Sequence, residues 1–157
     1  MALAILLLFS GIALFRQDLA YTGAETELSF WGRGDYQPRE HTIERTGQAL
    51  AALLAAQPAH PDYLSLDAYY QSWRGHWSTG VTERLDFNQQ AVDSQYAALQ
   101  ARPAHRQGWT KMLEYAARTT GGEAVIDTAR ARLQLLQSVQ QAGAGDLSLI
   151  HISEPTR

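Results

Sequence analysis

Five side chains within nine residues, Tyr69, Tyr70, Trp73, His76 and Trp77, form the densest group in the chain that could do chemistry. Aromatic faces at that density can stack on sugar rings, which makes the five candidate binding residues and a polysaccharide a candidate ligand. The same i, i+3, i+4 spacing on a helix is that of a core face, and both readings stand at this point. His60 and His105, each two residues after a proline, offer imidazoles for a metal pair. Equivalent positions in a repetitive fold lie a repeat length apart and do not converge, so both are read as turn-capping or surface residues and no metal site is assigned. The carboxylate pairs Glu25/Glu27 and Asp62/Asp67 have no nucleophile, histidine or glycine-rich loop beside them, and Glu25 and Glu27 point to different sides of a helix. The sequence holds no cysteine and no nucleophile-elbow, phosphate-loop, dinucleotide or zinc-protease motif, so it predicts no catalytic residue, no cofactor and no enzyme. Arg33-Gly34-Asp35 reads as a plain turn and not as an adhesion motif.

The remaining composition bounds the partners. A net charge of −3, with one lysine (Lys111) beside twelve arginines, leaves no basic stripe for a phosphate backbone, and nucleic acid is not expected. An apolar content of 45% over 157 residues suffices for one core. The lack of cysteine leaves the redox compartment unmarked.

Residues 1–15 are apolar apart from Ser10 and Gly11. As a helix they would span ~22 Å, against ~30 Å for a hydrocarbon core. The preferred reading is a transmembrane anchor whose first turns lie upstream of Met1; a signal peptide and a buried core helix are the alternatives. Arg16 follows the segment and nothing basic precedes it, which taken literally places the rest in the cytoplasm.

Helical spacing then continues from Arg16 to Trp31, and Gly32 to Pro38 ends it, giving a connecting helix and turn over 16–37. The next helix is read from Pro38 or Arg39 to Ala56, with Ile43, Leu50, Leu53 and Leu54 inward, stopped by Pro58 and Pro61. Asp62 is the expected N-cap of a helix from Tyr63 to Trp77. Three more follow, from Thr82 or Asp86 to Ala101, from Arg106 to Arg118 displaying Trp109, Met112 and Leu113, and from Glu123 to about Gln140. No segment reads as a strand.

Two stretches repeat: Leu54-Ala55-Ala56-Gln57-Pro58-Ala59-His60 and Leu99-Gln100-Ala101-Arg102-Pro103-Ala104-His105. A period in the tens of residues marks a helical array whose units cannot each bury an apolar face alone. Ala91, Ala98, Leu99 and Pro103 keep the offsets of the tetratricopeptide family, Trp109 falls six residues after Pro103 as the next large residue, and Leu64 falls six after Pro58. The chain resembles that family from about Gln48 to Leu136. It departs in two respects: the prolines stand 45 residues apart where the family has about 34, and the usual glycine position holds Ala68 and Leu113. An insertion between Gly75 and Asp86 is the expected source of the extra length. The implied fold is all-α, a membrane helix followed by antiparallel helix pairs in a right-handed array over 38–140.

The layout also resembles small membrane-anchored proteins of bacterial polysaccharide-biosynthesis clusters, through Leu28-x-x-Trp31 and Pro58-x-His60-Pro61-x-Tyr63-Leu64 before a tryptophan-rich helix. That resemblance implies a single-pass inner-membrane protein with its helical part in the periplasm, serving as an adaptor that holds other envelope or polysaccharide-machinery proteins. A carbohydrate-binding module and a fragment of a larger envelope enzyme are the alternatives. Finally, Leu147 to Arg157 (LSLIHISEPTR) resembles the translation of a transposase sequencing adapter, so 141–157 is expected to be a disordered tail with 147–157 foreign to the protein.

Overall fold

The computed structural model describes the backbone of residues 2–150 and the side chains of residues 14–142. Six helices occupy it: α1 (Ala2–Phe30), α2 (Glu40–Ala56), α3 (Pro61–Trp77), α4 (Val81–Ala101), α5 (Arg106–Ala116) and α6 (Glu123–Ile150). No strand occurs among the described residues. Each helix packs on the next through short connections, α1 also touches α3, and the α3–α4 pair is the most extensively packed. The result is a packed array of helices compatible with a helical repeat.

The two proline turns are copies of one another. At the first, the Gln57 N–H donates to Leu53 O at 2.9 Å and the His60 N–H to Gln57 O at 3.2 Å; at the second, Arg102 donates to Ala98 O at 3.1 Å and His105 to Arg102 O at 3.0 Å. Each histidine is then the N-cap of the following helix, with extended backbone. Asp62 therefore does not cap α3. Pro61 occupies the first turn, where its missing N–H costs nothing, and His60 precedes it. Across the interval from Gly75 to Asp86, the expected place of the extra length, only residues 78–80 separate α3 from α4, helices of 17 and 21 residues.

Two apolar clusters fill the array. One joins Ala24, Leu28 and Trp31 of the α1 end to Leu50 and Leu53 of α2 and to Tyr63 and Tyr70 of α3. The other joins Ala68 of α3 to Ala91, Val92 and Leu99 of α4, to Trp109, Met112, Tyr115 and Ala116 of α5, and to Ala129 of α6. The helix α3 serves both clusters, and no residue of it from Pro61 to Gly75 is fully exposed. Ala68 and Ala91, both fully buried, keep side-chain bulk away from this central crossing.

The expected membrane anchor is corrected by this arrangement. Among the described residues, no helix is long and apolar enough to cross a membrane. The apolar segment runs without a break into Arg16, Gln17 and Asp18, and the same helix goes on to bury Ala24 and Leu28 against α2 and α3. Its second half, read as a connector, is thus a core helix. The side chains of residues 1–13 lie outside those described. The single-pass inner-membrane placement with a periplasmic domain falls with the anchor. At the other end α6 is helical to Ile150, past the boundary read near Gln140, and residues 151–157 lie outside the described residues.

Candidate functional site

The aromatic group on α3 is brought together, but around the end of α1. Trp31 is 2% exposed and lies 4.8 Å from the Trp77 ring and 5.8 Å from Tyr70. The Trp73 ring lies 5.1 Å from Trp77 at an interplanar angle of 34°, and meets Tyr69 and His76 edge-on. Gly32 makes room for it: a Cβ there would sit 2.5 Å from the Trp73 ring, and its φ of +77° is a conformation that glycine adopts without penalty. Hydroxyls complete the clamp, with Tyr69 Oη donating to Trp31 O at 3.5 Å and Tyr70 Oη to Ile43 O at 3.3 Å. Tyr70 is buried, Tyr69, Trp73 and Trp77 are half-buried, and His76 is exposed. Tyr69, Tyr70, Trp73 and Trp77 each pack against another aromatic ring of the chain.

The remaining sequence candidates are dispersed. Among the described residues His60 stacks on Tyr63 at 4.1 Å with its Nδ1 buried and unpartnered, while His105 lines the cavity between α1, α3 and α5, and both imidazoles lie near Asp62. Among the described residues no group of three or more His, Cys, Asp or Glu comes together. Glu27 accepts hydrogen bonds from Trp31 Nε1 at 2.9 Å and Tyr36 Oη at 2.5 Å, tying the turn to α1. Asp67 accepts from Gln71 Nε2 at 3.0 Å and Ser94 Oγ at 2.6 Å, tying α3 to α4.

A concave site is formed instead by the odd-numbered helices. A cavity of about 220 Å³ opens between α1, α3 and α5. The first helix supplies Tyr21 and Glu25, the second Asp62, Leu66 and Tyr69, and the third Lys111 and Tyr115, with Gln95 of α4 beneath them. Gly108 lets α5 approach α4 here, since a Cβ would lie 2.9 Å from both Leu99 Cδ2 and His105 Nδ1 and 3.0 Å from Gln95 Nε2. Gln95 is 2% exposed and lines the cavity, whereas the one buried side-chain polar atom without a partner among the described residues is His60 Nδ1.

The walls carry opposite charges. Asp62 is gripped by both arms of the Arg102 guanidinium, at 2.5 and 2.7 Å, which holds its carboxyl below the usual carboxylate range despite partial burial. Lys111 Nζ is 2.9 Å from Glu114 and lies over the Tyr69 ring at 5.9 Å. Tyr21 Oη donates to Glu25 at 3.2 Å; burial first, and then the Glu25 and Asp62 charges, push its pKa up to about 12. Burial likewise raises that of Tyr115.

Sequence reasoning missed this site because Tyr21 and Tyr115 are nearly a hundred residues apart and no local pattern links them. The one available signal was Gly108 inside a helical pattern, which marks a close approach. No family model, curated protein or solved structure matches the chain, so the site's geometry carries the functional reading.

Proposed function

We propose that the protein is a helical-repeat adaptor that holds an extended segment of a partner protein in the cavity between α1, α3 and α5. The observation that carries this reading is the open cavity walled by α1, α3 and α5, with Gln95, a residue 2% exposed, in its lining beside tyrosine rings and charged groups. Its carboxamide offers two donors and an acceptor oxygen. A peptide group is the complementary partner, because its C=O and N–H answer the amide's donor and acceptor together. The resemblance to polysaccharide-cluster proteins suggests a setting for such an adaptor, a polysaccharide-machinery assembly, and assigns it no residue.

Panning a random dodecapeptide display library tests the proposal. Peptides enriched on the protein should lose binding to Gln95→Leu, a variant that removes the amide, keeps the bulk and should melt no lower than the parent. An enriched set that binds Gln95→Leu equally well, or no enrichment at all, would refute the reading.

A further inference from the structure

The cavity is chemically lopsided. Its lining carries two carboxylates, Glu25 and Asp62, against one ammonium, Lys111, and one imidazole, His105. Asp62 is neutralised by Arg102 and Lys111 by Glu114, so each of these charges already has its counter-ion. Glu25 has only a tyrosine hydroxyl, and among the described residues no cation pairs with it. The uncompensated charge on the wall is therefore negative. Below it lie Leu66 and the Tyr69 and Tyr115 rings, an apolar path with π-faces. The volume corresponds to about seven water molecules, enough for one long side chain.

We propose that the residue of the bound segment that enters this cavity is basic, a lysine or arginine whose charged head meets Glu25 and whose alkyl stem lies along Leu66 and Tyr69. This rests on the adaptor reading and adds the chemistry of the residue that is recognised. A long aliphatic stem with a cationic tip is the side chain that covers apolar surface while keeping its charge beside a solvent-exposed carboxylate. Burial raises the pKa of Tyr21 first, and the Glu25 and Asp62 charges beside it raise it further. The net charge of −3 favours encounter with a basic segment at low salt.

The test uses three probes, the N-acetyl methylamides of lysine, norleucine and glutamate, titrated into the nitrogen-15-labelled full chain. The Gln95 side-chain NH₂ signals serve as the reporter. Lysine amide should shift them at the lowest concentration, glutamate amide at the highest. Glu25→Gln should weaken the lysine probe about two- to five-fold and leave the norleucine probe unchanged, the scale of one partly solvated charge pair. Lys111→Met removes the opposing ammonium and should tighten the lysine probe by a similar factor, an effect of opposite sign that misfolding would not mimic. Equal shifts from all three probes would overturn the basic-residue assignment and leave the peptide cavity standing. No shift at Gln95 from any probe would overturn both.

Discussion

Removing the Trp109 side chain tests whether the repeated proline turns mark equivalent packing units. Trp109 is 5% exposed, packs in the cluster with Leu99 and Met112, and donates its indole N–H to Pro103 O at 2.8 Å. The ring thus fastens α5 to α4 and to the turn between them. Trp109→Ala should cost about 3–5 kcal/mol, the range for deleting a buried tryptophan. The ring also borders a cleft of about 360 Å³ lined by Val92, Tyr96 and Val125, so water can enter the space left behind and the loss should fall near the lower limit. With a urea slope of about 2 kcal/mol per molar, that moves the midpoint down by about 1.5 M. Trp109→Phe keeps most of the apolar bulk and loses the hydrogen bond to Pro103, which should cost about 1–2 kcal/mol. Circular dichroism during urea titration, with the slope checked for constancy, measures all of these. Ala98, 3% exposed on α4, supplies the control: Ala98→Leu should overpack at about 1–3 kcal/mol, and combined with Trp109→Ala the losses should not add. A loss below about 1 kcal/mol for Trp109→Ala would refute the claim that this seam holds the last helix pair on the array.

Three further outcomes follow from particular contacts. Gly108→Ala gains about 1 kcal/mol of helix propensity, yet its Cβ would press on Leu99 and Gln95, so thermal melting should show a net loss and peptide binding should fall with it. Gly32→Ala meets both a positive φ and the Trp73 ring, and should destabilise by about 1–3 kcal/mol with a changed tryptophan fluorescence spectrum in the folded protein. The folded-state pKa of Asp62 is depressed, so its contribution to stability is present above the unfolded value of about 3.9 and is lost as pH falls through the lower folded value. Arg102→Ala should flatten the acid limb of the melting profile, modestly because the pair is about two-fifths exposed, and an unchanged limb would show that the pair contributes nothing there.

Much of the helical layout was legible because its signals are local. Pro58, Pro61 and Pro103 end or start helices wherever they stand, and the paired glycines at 32/34 and 121/122 punctuate them. The inward residues of α2 and α5 followed from the helical period, and Leu50, Leu53, Trp109 and Met112 are buried. Asp62 was misread because an acidic residue in a first turn suits an N-cap and equally suits a partner on another helix; Arg102, forty positions away, won it. The apolar run at 1–15 was misread because hydropathy records composition and not what the helix joins, and here α1 continues into a packed core.

The sequence by itself determined that the chain is helical, where the turns fall and that two of them repeat, since helix period and proline sterics act within a few residues. Only the tertiary structure decided what the chemistry-bearing residues do. It turned the Trp77 ring onto Trp31 and Trp73 onto Trp77, tied Asp62 to Arg102, and set Tyr21, Glu25, Gln95 and Lys111 around one cavity. The reason is that a cavity belongs to three helices at once, and its lining is chosen by the packing between them rather than by the spacing along any one.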